Sequence, residues 1–279
     1  MAEVRIGTCS WTADAWWGRV YRPGTPDSDR LGVYARLYDT VEVDATYYRP
    51  PAPSVVDGWR RKTPEGFRFA LKCPRELLDP RRGPDRDGLA EFVRLAGRLG
   101  PKLGPILLQF SPGFRPGRSE RFLDDLLEAL APEVAWSIEL RDAGWYRGEA
   151  GAALARRLGD RAIALTWSYL SYLDVPPWRT ADFVYLRFIG DHDTIPPERL
   201  GEVRVDRRAE TERWAARLRA ADDLVRPSYV FFNNHYAGVA PDSANDFRVA
   251  LWLAPVDFGR YVRGARRLDD GRFPEAGAP

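Results

Sequence analysis

The chain has 279 residues, of which 44% are apolar and 29% charged, and its formal net charge is +2. That composition excludes a low-complexity or collagenous chain, and the near-balance of charge excludes a bulk field that would draw the whole molecule onto DNA or an anionic membrane. No apolar run reaches the roughly 18–20 residues that a bilayer crossing needs, and two cysteines, Cys9 and Cys73, are too few for a disulfide scaffold.

The opening MAEVRIGTCSW has neither a basic segment nor an apolar one of signal-peptide type, so a cytoplasmic location is expected. Short β-branched or apolar runs bounded by turn residues then predict eight strands, over residues 4–9, 40–46, 67–73, 105–110, 135–141, 161–167, 183–189 and 228–234. Apolar residues at three- and four-residue spacing predict helices between most of them, over 30–38, 53–62, 89–99, 120–130, 148–158, 207–220 and 242–251. The connection 168–182 contains Pro176 and Pro177 and has room for a short helix at best. Eight βα units in about 250 residues predict the α/β class and a TIM (β/α)8-type barrel. The rival is an open doubly wound sheet, whose G-x-G-x-x-G fingerprint does not follow the first strand. With no linker or composition break, one domain is expected over 1–279, its strand core at about 4–253 and a C-terminal tail at 254–279. Three long connections after strands, 74–88, 111–119 and 190–206, are lid or substrate-wall candidates.

Side chains alternate between lumen and helices along a barrel strand, and those at the carboxyl ends meet at the mouth. Parity groups Glu42, Asp44 and Thr46 on one face of the second strand and Ser137, Glu139 and Arg141 on one face of the fifth. Lys72 ends the third strand, Gln109 the fourth, Arg187 shares parity with Tyr185 in the seventh, and Asn233–Asn234 end the eighth. Scarcity sharpens the pattern. Only Lys62, Lys72 and Lys102 are lysines among 42 basic residues, and Cys9, Lys72, Cys73, Gln109, His192, Asn233, Asn234 and His235 all fall near strand ends. A cluster of Glu, Lys and Arg inside a barrel mouth is either a stabilising network or a functional site, because buried charges are costly unless paired.

Lys72 is the sharpest position, since burial and cationic neighbours can adapt an ammonium to nucleophile, proton donor or phosphate contact. Salt-bridging to Glu42 or Glu139 is its structural alternative. Glu42 and Glu139 suit an acid/base pair, and Arg141 and Arg187 offer planar forks for carboxylate or phosphate, with Asn233 and Asn234 beside them. Trp11, Trp16, Trp17, Tyr47, Tyr48, Trp145, Tyr146 and Trp167 follow or end strands, where rings either stack on a base or sugar or wedge loops onto the rim. Two histidines and no paired cysteines exclude a zinc cluster. No cofactor is expected, and an oxygen-ligated divalent cation at Glu42, Asp44 or Glu139 is the alternative.

The ordered segments IGTCSW (6–11), YARLYDTVEVDATYYRPP (34–51), TPEGFRFALKCP (63–74), LGPILLQF (103–110), SIELRDAGWY (137–146), TADFVYLRFIGD (180–191) and FFNNHYAGVAPDSANDF (231–247) resemble domain-of-unknown-function family 72, the YecE-like proteins. The resemblance covers nearly the whole chain and implies a TIM barrel. It also implies site positions Glu42, Thr46, Tyr48, Arg49, Lys72, Gln109, Glu139, Arg141, Trp145, Arg187, Asn233 and Asn234. The family's barrel is similar to AP-endonuclease-type barrels, which brings nucleic acid into view as a partner. This chain departs by reading ALTWS (164–168) where relatives often carry an Asp, RFIG where many read RLHG, and Asp44 where many have Asn.

The leading expectation is an enzyme, a hydrolase, lyase or isomerase, acting on a small anionic or polyhydroxyl substrate. Lys72, Glu139 and Glu42 would be catalytic; Thr46, Tyr48, Arg49, Gln109, Arg141, Trp145, Arg187, Asn233 and Asn234 would bind substrate. The second expectation is a nucleic-acid binder or repair nuclease using the Arg-rich loop 80–87, and the third a ligand-binding protein without catalysis.

Overall fold

The computed structural model describes residues 3–190, 193–221 and 224–259. Eight parallel strands form the sheet: β1 (Val4–Thr8), β2 (Thr40–Val43), β3 (Arg68–Lys72), β4 (Leu103–Gln109), β5 (Trp136–Glu139), β6 (Ala164–Leu170), β8 (Tyr185–Phe188) and β9 (Ser228–Phe232). A two-residue strand, β7 (Leu173–Asp174), folds back antiparallel on β6. The order β1-β9-β8-β6-β5-β4-β3-β2 curls until β1 and β2 meet at a single parallel bridge between Cys9 and Glu42, a nearly closed barrel.

Seven α-helices connect the strands: α1 (Asp27–Tyr34), α2 (Pro53–Arg61), α3 (Arg86–Ala96), α4 (Glu120–Ala129), α5 (Gly148–Gly159), α6 (Arg208–Arg219) and α7 (Ala240–Ala250). Among the described residues no helix is long and apolar enough to cross a membrane. The first helix starts and ends earlier than its apolar spacing predicts. Pro26 precedes it and Asp27 and Asp29 occupy its first turn, a proline-and-acid start that outweighs periodicity. The sixth connection carries no helix. Instead the Thr180 hydroxyl accepts from the Leu165 amide and donates to the Ile163 carbonyl, both at 2.7 Å, and Trp167 Nε1 donates to the Trp178 carbonyl, so an extended strap covers β6.

Two apolar layers hold the barrel. Outward residues such as Val41, Val43, Ile138 and Leu186 pack against the helices. Inside, Ala70, Leu107, Ala164, Phe183, Tyr185, Tyr229 and Phe231 fill the lumen, so the mouth above them has a floor. The seam between β1 and β2 is closed by a side chain from α1. The buried Tyr34 hydroxyl accepts from the Thr8 amide and donates to the Thr40 carbonyl, each at 3.0 Å. Gly7 lies at this approach, and a Cβ there would come 2.2 Å from the Thr40 carbonyl oxygen.

Candidate functional site

The floor of the mouth is an ionic core supplied by three strands. Glu42 from β2, Glu139 from β5 and Arg187 from β8 are 0%, 1% and 2% exposed. Arg187 lies between the two carboxylates. Its Nε and Nη2 donate to Glu42 at 2.9 and 2.7 Å, and its Nη1 donates to Glu139 Oε2 at 2.5 Å and to Gln109 Oε1 at 3.1 Å. The Tyr185 hydroxyl completes Glu42 at 2.7 Å; Ser168 Oγ and Arg141 Nε complete Glu139 at 2.9 and 2.6 Å. Burial opposes both negative charges, yet Arg187 with Lys72 for Glu42, and Arg187 with Arg141 for Glu139, outweigh it and hold both carboxyls below the ordinary range. Burial, with Glu42 beside it, pushes the Tyr185 phenol up, so it stays a donor. Every carboxylate oxygen of the floor therefore already has a donor.

The rim differs. Lys72 Nζ lies 2.9 Å from Asp44 Oδ1 and 4.4 Å from the centre of the Tyr47 ring. Asp44 Oδ1 is inaccessible to solvent, and the approach of Lys72 is not aligned as a hydrogen bond. Burial raises the Asp44 carboxyl; Lys72 opposes this and Glu42 reinforces it, leaving a net rise. Around this pair the amide orientations are set by chemistry. Arg187 can only donate, so the oxygen of Gln109 faces it and the amide nitrogen is left over. The His235 amide donates to Asn233 Oδ1 at 3.1 Å, which leaves the Asn233 nitrogen over in the same way. Arg141 uses Nε on Glu139, and its terminal nitrogens bond no other described residue.

Lys72, Gln109, Glu139, Glu42, Arg141 and Arg187 thus come together as the strand parity predicts, and other positions do not join them. Because β2 ends at Val43 and Asp44–Tyr47 form a 3-10 turn, Thr46 leaves the luminal face. Its hydroxyl donates to the Lys72 carbonyl at 2.7 Å and accepts from the Lys72 amide at 3.1 Å, tying the turn to β3. Trp145 is buried, stacked on Phe114 and bonded to the Phe114 carbonyl at 2.7 Å. Asn234 Oδ1 accepts from Trp16 Nε1 and the Ala240 amide, both at 2.9 Å, a clamp between loops. Tyr48 and Arg49 are exposed on the outer side of the 3-10 turn. His235 Nδ1 lies 2.6 Å from the Ile195 carbonyl, and His192 falls outside the described residues. In the loop 80–87 Arg81 is engaged by Asp79 at 2.9 Å.

Sequence reasoning missed Asp44 as the partner of Lys72, and missed Ser168 and Tyr185 as floor donors. The signal for Tyr185 was its shared parity with Arg187; Ser168 lies one residue past the predicted end of its strand. Among the described residues, Cys9, Glu42 and Asp44 are the donor set close enough to share a cation, their ligand atoms within 4.8 Å of one another. The chemistry of the set does not favour one. Glu42 is already held by a guanidinium and a phenol, and burial with Glu42 and Asp44 nearby pushes the Cys9 thiol well up, away from the thiolate.

These observations define a (β/α)8-type barrel protein whose mouth is floored by a Glu–Arg–Glu ion core. The family model described as "Protein of unknown function DUF72" matches residues 5–260, and the chain belongs to that family. It is 33% identical over 141 residues to UPF0759 protein YecE of Escherichia coli K12, a stretch covering 48% of this chain and 52% of the relative. It is 25% identical over 140 residues to UPF0759 protein YunF of Bacillus subtilis 168, covering 47% and 50%. The alignments thus span about half the length of these curated relatives. A DUF72 family crystal structure from Thermotoga maritima MSB8 superposes with a TM-score of 0.76 at 25% identity, over 90% of this chain and 99% of that one. One from Enterococcus faecalis V583 gives 0.76 at 21%, over 95% and 100%.

Proposed function

We propose that the chain is an enzyme acting on a small anionic substrate, a carboxylate or phosphate, at the carboxyl-end mouth of the barrel. One observation carries the reading: the acceptors of the floor are consumed internally, whereas among the described residues the Arg141 terminal nitrogens and the amide nitrogens of Gln109 and Asn233 are donors left over, beside the Lys72 ammonium that Asp44 shares. A site with leftover donors is completed by an oxygen-rich anion. Arg141, Gln109 and Asn233 hold the anion; Arg187 orients Gln109 and neutralises the floor without facing the ligand.

Proton work falls to Asp44 and Lys72 in preference to Glu42 and Glu139. The two glutamates are held ionised by their donors, and protonating either would leave Arg187 with a lost partner. Asp44 has its carboxyl raised toward the range where a carboxyl exchanges protons, and Lys72 lies 2.9 Å away to carry the compensating charge. Removal or delivery of a proton beside a bound anion is the step that hydrolases, lyases and isomerases share.

The test is the melting temperature of wild type and Lys72→Met against inorganic phosphate, sugar phosphates, short carboxylates, divalent ions and abasic single-stranded DNA. A ligand at one hundred times its dissociation constant adds about 2.7 kcal/mol, and each kcal/mol shifts Tm by roughly 2–4 °C at this size. A rise with one anion, lost in Lys72→Met, is expected. A rise with DNA alone, reversed by salt, would overturn the reading in favour of nucleic-acid binding.

A further inference from the structure

Outside the ionic mouth, the 3-10 turn that follows β2 walls a second concavity. The groove has a volume of about 920 Å³ and begins at Ala45 and Thr46, the residues directly after Asp44. Tyr48, Arg49, Pro50, Pro51, Val55 and Trp59 line it. Tyr48 and Val55 are 68% and 43% exposed, so two of the large apolar side chains left on the described surface face the same groove. It is joined to the mouth by contacts. Lys72 Nζ sits over the Tyr47 ring at 4.4 Å, and that ring meets the Tyr48 ring edge-on at 5.5 Å between centroids. Trp59 is braced from behind by Trp11 at 5.6 Å, which fixes one ring of the groove.

The lining decides what fits. Proline, alanine, valine and aromatic faces make up most of the lining, and its side-chain polar groups are few, chiefly the Tyr48 hydroxyl, the Trp59 indole and the Arg49 guanidinium, so a body rich in hydroxyls would leave many hydrogen bonds unmade there. Rings and methyl groups do suit an apolar or planar body. We propose that the substrate is an amphiphilic anion, an aryl- or alkyl-bearing carboxylate or phosphate, with its charged end among the mouth donors and its apolar tail in the Tyr48–Trp59 groove. This rests on the anion reading of the mouth, and it favours an apolar tail over a polyhydroxyl one. Tyr48 is then a specificity residue, and the 3-10 turn of Asp44–Tyr47 joins the proton-carrying pair to the tail site.

Titration calorimetry separates the two claims. Acetate and inorganic phosphate probe the charged end alone; phenylbutyrate carries the same charge with a ring on a short spacer. In wild type, phenylbutyrate should bind about tenfold tighter than acetate, the gain expected from partly burying one ring. Tyr48→Ala and Val55→Asn, both at exposed positions, should remove that gain and leave phosphate affinity unchanged. Lys72→Met should weaken all three ligands. Equal affinity for phenylbutyrate and acetate in wild type, or a gain that survives both groove substitutions, overturns the tail site while leaving the anion reading intact. Failure of phosphate and acetate to bind at all overturns the anion reading and the tail site with it.

Discussion

Glu42 and Asp44 stand two residues apart at the end of β2, where a continuing strand would give them one face and one environment. They end up in opposite states. Glu42 lies inside the barrel with donors from Arg187 and Tyr185, and its carboxyl is held below the ordinary range against its burial. Asp44 has turned onto the rim with Lys72 as its near partner, and its carboxyl is raised. Burial opposes ionisation at both; the number of donors aimed at each carboxylate decides the outcome. The floor of the mouth is accordingly fixed and the rim exchangeable, and each of the following measurements strains that contrast.

The largest effect belongs to Arg187→Met, which leaves two buried carboxylates without their shared cation. A loss of about 3–5 kcal/mol is expected in denaturant unfolding, and wild-type stability would show that the floor is not an ionic framework. Ser168→Ala removes one donor to a charged, buried acceptor and should cost about 1.5–3 kcal/mol by the same measurement. At the rim, Lys72→Met should change stability by less than about 1 kcal/mol, because Asp44 can take up a proton when its partner is lost. A loss comparable to that of Arg187→Met would erase the distinction between floor and rim.

The smallest effect on stability lies in the pH response. The folded values of Glu42 and Glu139 lie below their unfolded ones, so their contribution is full above about pH 4.3 and is lost as pH falls through the folded values. Asp44 has the opposite sign: its folded value is raised, so its ionisation works against the fold as pH rises through that value. Acid unfolding should therefore follow the two glutamates, and Asp44→Asn should leave its acid limb in place. Carbon-13 NMR of labelled carboxyls should show Asp44 titrating above about 3.9, the free aspartate value. A midpoint below that would contradict the raised rim carboxyl.

The barrel was legible in the sequence because strand periodicity and turn residues are local signals. Most strand limits move by one to three residues, and the seven helices overlap their predicted spans, with α1 and α3 each starting three residues early. The hairpin strand β7 was not legible, since two residues carry no periodicity. Parity found Glu42, Glu139 and Arg187 correctly and misplaced Thr46 for one reason: it assumes that the strand continues, and β2 stops at Val43. Scarcity of lysine pointed to Lys72, but the same signal fits Lys102, which is buried more deeply and serves the scaffold. Lys102 Nζ donates to the carbonyls of Arg60 and Thr63 at 2.8 and 2.7 Å, capping the end of α2. Residue type says that a buried ammonium must find oxygens; only the spatial arrangement says whether those are spent carbonyls or an exchangeable carboxyl.

The tyrosine that rivets the seam bears on how the barrel assembles. β1 pairs residue for residue with β9, its neighbour in the sheet and the last strand of the chain, while toward β2 it relies on one bridge and on the Tyr34 hydroxyl carried by α1. Closing the ring of staves needs both the local seam, built by β1, α1 and β2 in succession, and the pairing of β1 with β9, the most sequence-distant in the barrel and a high-contact-order step. Pulse-labelling exchange should find the Cys9 amide, which donates to the Phe232 carbonyl at 2.9 Å, among the late-protected ones. Since Glu42 occupies that same seam, the ionic floor is completed by the closing event itself, and a chain with an open seam has no finished mouth.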